Sequence, residues 1–159
     1  VSEAPAGPRE RLAALGLTLP EVPAPVAAYV PAVRTGGFVY TSGQLPFVDG
    51  KLPRTGKVGA EVGVDEARDL ARICALNALA AVVSVAGDLS DIVRIVKVVG
   101  YVASAPGFTA QPQVLNGASE LLGEVFGEAG RHARSAVGVA VLPLDAPVEV
   151  ELIAEVRPA

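Results

Sequence analysis

Few side chains able to do chemistry interrupt the apolar runs of this chain, and they gather in its last third. Arg134 lies near the start of the run 133–142. There Ala133, Ser135, Val137, Val139 and Val141 share one face, and Arg134, Ala136, Gly138, Ala140 and Leu142 share the other. Alternation puts Glu149 and Glu151 on one face of the closing run. A guanidinium can hold a carboxylate through two parallel hydrogen bonds. A nearby glutamate can position a water or move a proton. These residues therefore offer a small-anion site with a proton-handling group. A plain Arg–Glu pair across strands uses the same residues and is the commoner arrangement. If the two runs form a hairpin through 143–147, only a suitable register brings Arg134 to the glutamates.

Other groups are weaker signals. Ser42-Gly43-Gln44 ends an early strand, and its successive N–H groups could form a nest for an oxyanion. A turn or bulge glycine explains the same tripeptide. Tyr29 stands thirteen positions before Ser42. His132, two positions from Arg134, can share its face and reads as a partly exposed structural histidine rather than a catalytic one. Cys74 falls on the apolar side of a helix and reads as a core thiol. One histidine and one cysteine leave no metal cluster and no intramolecular disulfide.

The elements that must position these groups follow from punctuation and period. Residues 1–26 hold many prolines and read as an arm with one short helix, opened by Pro8 and closed by Gly16. Residues 27–159 read as one domain. Two short strands flank Thr35-Gly36-Gly37, and Asp49-Gly50 marks a tight turn in the loop that follows. The clearest helix spans 64–86, with Asp65 as N-cap, Gly87 as stop, and Leu70, Cys74, Asn77/Ala78, Ala81 and Val85 on one face. A second helix lies within 112–126, with Val114, Ala118, Leu121, Leu122 and Val125 inward. Strands at 91–104, 133–143 and 147–156 complete the order ββ-α-β-α-ββ, an α+β fold with a mixed sheet and two main helices on one face.

Composition sets the limits. A chain of 159 residues, 51% hydrophobic and 19% charged, can bury a core and is not disordered. Seventeen acidic against thirteen basic residues give a net charge of −4, which disfavours nucleic acid as main partner. The charge-free stretch 98–119 is long enough to span a membrane, but Pro106, Gly107 and Pro112 interrupt it, so no membrane partner is expected. Residues 1–10 lack the apolar core of a signal peptide, so a soluble, cytoplasmic protein is expected. Both faces of 133–142 are small or apolar, whereas two helices can cover only one. The second face calls for another copy of the chain, or for the arm.

Taken together, these segments resemble the RidA (YjgF) family of reactive-intermediate deaminases, from about Tyr29 to Val156. "YVPAVRTGGFVYTSGQLP" is similar to the family's opening, with its tyrosine thirteen residues before a Ser-Gly-Gln turn. "ALNALAAVVSVAGDLSDIVRIVKVVGYVAS" resembles its helix, Gly-containing turn and central strand. "ARSAVGVAVLPLDAPVEVELIAEV" matches its closing signature in spacing. The resemblance implies a chorismate-mutase-like α+β fold and a homotrimer with intersubunit clefts. It also implies cofactor-free hydrolysis of 2-aminoacrylate-type enamines and imines to 2-oxo acids and ammonia. Arg134 would bind the substrate carboxylate and Glu149 would place the water, with Tyr29, Ser42 and Gly43 around the cleft. Two residues compete for the family's ligand-facing helix Asn: Asn116 by type, and Ser119 by spacing to Phe126. The chain differs from the short members in its arm, in a longer segment before Arg134, and in Ala136 where many carry a cysteine. The alternative is a non-catalytic trimer that binds or senses a 2-oxo acid. Endoribonuclease activity, a label some relatives carry, sits poorly with the acidic charge, few aromatics and lone histidine.

Overall fold

The computed structural model describes residues 4–24 and 27–159. Residues 1–3 and 25–26, which fall within the expected arm and its junction with the domain, lie outside the described residues. The elements run α1 (Pro8–Ala14), β1 (Ala32–Thr35), β2 (Phe38–Thr41), α2 (Val64–Ala86), β3 (Ile92–Ala103), α3 (Gln111–Phe126), β4 (Ala133–Val139) and β5 (Val148–Val156). The five strands form one mixed sheet in the order β1-β2-β5-β3-β4, and only β3 and β4 are parallel.

That order excludes a hairpin between the last two strands. β3 lies between β4 and β5, pairing parallel with the first and antiparallel with the second. The chain after β4 does not fold straight back, because Pro143–Asp145 forms a 3-10 turn with Leu144 and Asp145 at positive φ. β4 is accordingly shorter than expected, ending at Val139.

Alternation then sorts the sheet into two faces. On β5, Val148, Val150, Leu152, Ala154 and Val156 are buried, while the residues between them are only partly covered. The buried face meets α2 and α3. α3 turns Val114, Ala118, Leu121, Leu122 and Val125 inward as the helical period predicts, and all are fully buried. Each buried Val or Leu among them stabilises the fold by about 1.5–3 kcal/mol. α2 buries Leu70, Cys74, Ala78 and Ala81, but Val85 near its end is exposed. Asp65 is not the N-cap: Gly63 takes that place, and Asp65 sits in the first turn, where the helix dipole favours its charge. By length and composition α2 could pass for a membrane span, yet its apolar stripe is that of a core helix packed on sheet and α3.

Glycines let the layers approach. A Cβ at Gly117 would lie 2.0 Å from the Arg68 carbonyl oxygen, so α3 crosses α2 almost backbone to backbone. A Cβ at Gly100 would lie 2.0 Å from Leu115 Cδ1, which seats α3 on β3. Asp49 and Gly50, both at positive φ, make the predicted tight turn between Val48 and Lys51.

α1 packs against α3 and buries Leu12 in the common core. Arg9 Nε donates to Asp88 Oδ1 at 2.8 Å, and the hydrogen bonds from Ser90 and Arg9 hold the Asp88 carboxyl at about 2. The described helix of the arm therefore belongs to the helical layer and does not cover the second sheet face. That face presents Val33, Tyr40, Val99, Tyr101, Val137 and Ile153, with Val33, Tyr40 and Val137 exposed.

Two glycines of α3 should respond oppositely to alanine. Gly117→Ala should lower stability by about 1–3 kcal/mol or more, the cost of overpacking. Gly123→Ala has open space around its Cβ and should raise stability by about 0.5–1 kcal/mol through helix propensity. Denaturant midpoints of the two variants check the pair, and equal shifts would contradict the close helix contact.

Candidate active site

Arg134 enters β4 opposite Val98 of β3, on the face that α3 covers. Its partners are set by the crossover. Chain leaving β3 must pass over the sheet to re-enter it in parallel, and α3 is that passage. α3 brings two polar side chains to the start of β4. Arg134 Nη1 donates to Asn116 Oδ1 at 2.9 Å and to Ser119 Oγ at 3.1 Å. The two candidates for the helix position therefore both reach the arginine. Nη1 alone is engaged among the described residues, which leaves Nε and Nη2, the edge suited to a bidentate carboxylate.

Ser119 continues the chain of contacts. Its Oγ lies 2.9 Å from His132 Nε2, and His132 Nδ1 lies 2.7 Å from the Gly130 carbonyl oxygen. Burial and the Arg134 charge hold the histidine pKa below its ordinary value, although the Gly130 hydrogen bond opposes them. The structural histidine expected from sequence is thus wired to Arg134. The signal was present in the spacing, since His132 stands two positions before Arg134, just ahead of β4.

Glu149 lies on the opposite face. It pairs with Tyr101 of β3, whereas Arg134 aligns through Val98 with Leu152. The sheet backbone stands between guanidinium and carboxylate, so neither a cross-strand Arg–Glu pair nor a joint site forms within one chain. Beside Glu149, Tyr101 donates its hydroxyl to Glu151 Oε1 at 2.8 Å. Burial, and next the Glu151 charge, push the Glu149 carboxyl above the usual carboxylate range.

The Ser42-Gly43-Gln44 turn packs on this second group. A Cβ at Gly43 would sit 2.0 Å from Glu149 Oε1, so only glycine leaves room for the carboxylate. The tripeptide is not an anion nest: Ser42 N–H donates to Pro31 O at 2.8 Å and Gln44 N–H to Val150 O at 2.8 Å. Ser42 Oγ donates to Val30 O at 2.6 Å, which fixes the segment after Tyr29. Tyr29 itself is 68% exposed. Asn77 of α2 holds the chain beyond the turn, its Nδ2 donating to Leu45 O and Phe47 O at 3.0 and 3.1 Å. Cys74 is fully buried, 3.6 Å from the Val148 carbonyl oxygen, and burial raises its pKa well above the ordinary thiol value. No group of three or more potential metal ligands occurs among the described residues.

Comparison with known proteins gives concordant results. The family model described as "YjgF/chorismate mutase-like, putative endoribonuclease" matches residues 9–156. Protein TCP17 of Trypanosoma cruzi is 46% identical over 144 residues, covering 90% of each chain. The "putative reactive intermediate deaminase TdcF" of Escherichia coli is 32% identical over 134 residues, covering 83% of this chain and 89% of its own. The crystal structure of Atu1372 from Agrobacterium tumefaciens superposes with a TM-score of 0.87 at 48% identity, covering 94% of this chain and 93% of that one. That of E. coli TdcF with bound serine superposes with a TM-score of 0.64 at 28% identity, covering 87% and 94%.

The raised Glu149 pKa has a definite sign. The folded protein holds this proton more tightly than the unfolded chain, so the stability it contributes is full below the unfolded glutamate value and is lost as pH rises through the raised one. Glu149→Gln should flatten that fall, and Glu151→Gln should lower the Glu149 midpoint by removing the lesser cause. Carboxyl carbon NMR titration with parallel denaturation curves measures both; a midpoint at the ordinary value in the wild type would contradict the burial argument.

Proposed function

The chain belongs to the YjgF/chorismate mutase-like (RidA) family, and from that premise we propose that it hydrolyses short-lived enamines and imines of the 2-aminoacrylate type to 2-oxo acids and ammonia. The observation that carries this reading is the half-satisfied guanidinium of Arg134, anchored through Nη1 by Asn116 and Ser119, with Nε and Nη2 making no hydrogen bond among the described residues. The deaminase name of a relative and the serine in the TdcF structure, a small amino acid with a carboxylate, support the same substrate class. The net charge of −4 favours a small carboxylate anchored at one arginine over an RNA backbone. A cytoplasmic setting for the reaction is part of the proposal.

The chemistry asks little of the protein. Arg134 holds the substrate carboxylate and so orients the C=N carbon. Glu149 takes a proton from water as the water oxygen bonds to that carbon and the C=N pair moves to nitrogen. The proton then passes to nitrogen to complete a carbinolamine; its hydroxyl proton is next transferred to nitrogen, the O–H electron pair closes the carbonyl, the C–N bond breaks and ammonia leaves. An enamine first needs a proton at its terminal carbon, and a carboxyl with a raised pKa is suited to deliver it. No cofactor is required by these steps.

Arg134 and Glu149 lie on opposite faces of one sheet, so the working cleft combines Arg134 of one protomer with Glu149 of a neighbour. The open face with Val33, Tyr40 and Val137 supports self-assembly, and a homotrimer is the assembly proposed. Tyr29, Ser42 and Gly43 would line the same cleft from the Glu149 side.

Semicarbazide trapping of an imine or of 2-aminoacrylate, generated by an amino-acid oxidase or a serine dehydratase, tests the reading. Wild type should suppress trapping, Glu149→Gln should lose at least about a hundredfold, the scale of a lost general acid–base group, and Arg134→Ala should lose suppression with the carboxylate anchor. Mixing the two inactive variants and allowing subunit exchange should restore about a quarter of the wild-type sites, as random pairing across shared interfaces dictates. No recovery on mixing would overturn the shared cleft. Carboxylate binding without any deamination would favour the binding trimer instead.

A further inference from the structure

His132 takes no part in the steps above, yet it is the chain's lone histidine and stands half-buried two residues before Arg134. The Gly130 carbonyl oxygen at 2.7 Å can only accept, so Nδ1 carries a proton. Burial and the adjacent arginine favour the neutral ring, so Nε2 is bare and accepts from the Ser119 hydroxyl at 2.9 Å. With its hydrogen committed to the histidine, Ser119 Oγ turns a lone pair to Arg134 Nη1 at 3.1 Å. The polarity of the whole relay is thus dictated by one backbone carbonyl. That carbonyl is itself fixed, since a Cβ at Gly130 would lie 2.2 Å from the Leu122 carbonyl oxygen of α3, the helix that carries Ser119.

We propose that His132 is a positioning residue for the carboxylate anchor: through Ser119 it holds Arg134 by Nη1, so that Nε and Nη2 face outward as a preformed pair of donors. The inference rests on Arg134 binding a carboxylate, as set out above. A neutral ring is essential to it. A protonated ring would donate to Ser119 from Nε2, free the serine hydrogen to turn elsewhere, and set a second cation beside the guanidinium. Arg134 is the charged group that bears on the ring, and Asn116 and Ser119 are the polar groups facing this cluster from α3.

The test uses the full-length protein, pyruvate as the carboxylate probe, and three variants. His132→Leu removes the acceptor, His132→Gln restores one, and Arg134→Lys removes the fork that the relay orients. His132→Leu should weaken pyruvate binding and raise the imine KM about tenfold with kcat nearly unchanged, the pattern of lost uniform binding. His132→Gln should recover most of that loss. In an Arg134→Lys background His132→Leu should cost nothing further. In ligand-free protein, nitrogen NMR should show slow rotation of the Arg134 guanidinium and an unprotonated Nε2, and His132→Leu should speed the rotation.

Equal losses from His132→Leu in both backgrounds would overturn the proposal, as would unrestricted guanidinium rotation in the wild type. A wild type that binds no carboxylate while its relay signals are intact overturns the anchor reading and the binding role of His132 with it. That outcome is distinct from a wild type that binds normally and is unaffected by His132→Leu, which removes the inference alone.

Discussion

The parallel pairing of β3 with β4 is the constraint on which the rest of the molecule depends. Two parallel neighbours cannot be joined by a tight turn, so the chain must climb off the sheet and cross it. α3 is that crossing. It buries its apolar stripe on the sheet, closes against α2 through Gly117, and delivers Asn116 and Ser119 to the start of β4. Arg134 is therefore held by the same element that forms the core. An arginine on an edge strand would otherwise be a mobile, solvated side chain.

The second organising fact is the separation of charge by face. The guanidinium and its relay lie on the helical side, whereas Glu149 and Glu151 lie on the open side with Tyr101 and the Gly43 turn. Within one chain the two groups neither neutralise each other nor share a ligand. Glu149 is left beside a like charge and partly desolvated, which raises its pKa. The arrangement suits an assembly in which neighbouring copies complete one another, and it places proton-handling and anion-holding groups on separately packed supports.

Much of this was readable from residues. The helical period of 64–86 and 112–126 named the inward side chains of both main helices apart from Val85, which the end of α2 leaves exposed, because their apolar stripes face a single layer. The Asp49-Gly50 turn and the stop at Gly87 followed from residues that tolerate positive φ. That Asn116 and Ser119 both hold Arg134 was not readable. Helical spacing places both on one side of α3, but whether either meets Arg134 depends on where α3 crosses the sheet. That the last two strands form no hairpin was unreadable for a related reason. Proximity in sequence favours a hairpin, but the 3-10 turn at Pro143–Asp145 sends the chain past β4 to the far side of β3.

The sequence by itself determined the element order, the two faces of each strand, the apolar stripes, and the short set of residues able to do chemistry, because these depend on local period and side-chain type. Tertiary structure alone decided which of those residues meet. It joined Arg134 to Ser119 and His132, set Glu149 over Gly43, and put the two groups on opposite faces, because strand order and helix placement are fixed by burial summed over the whole sheet.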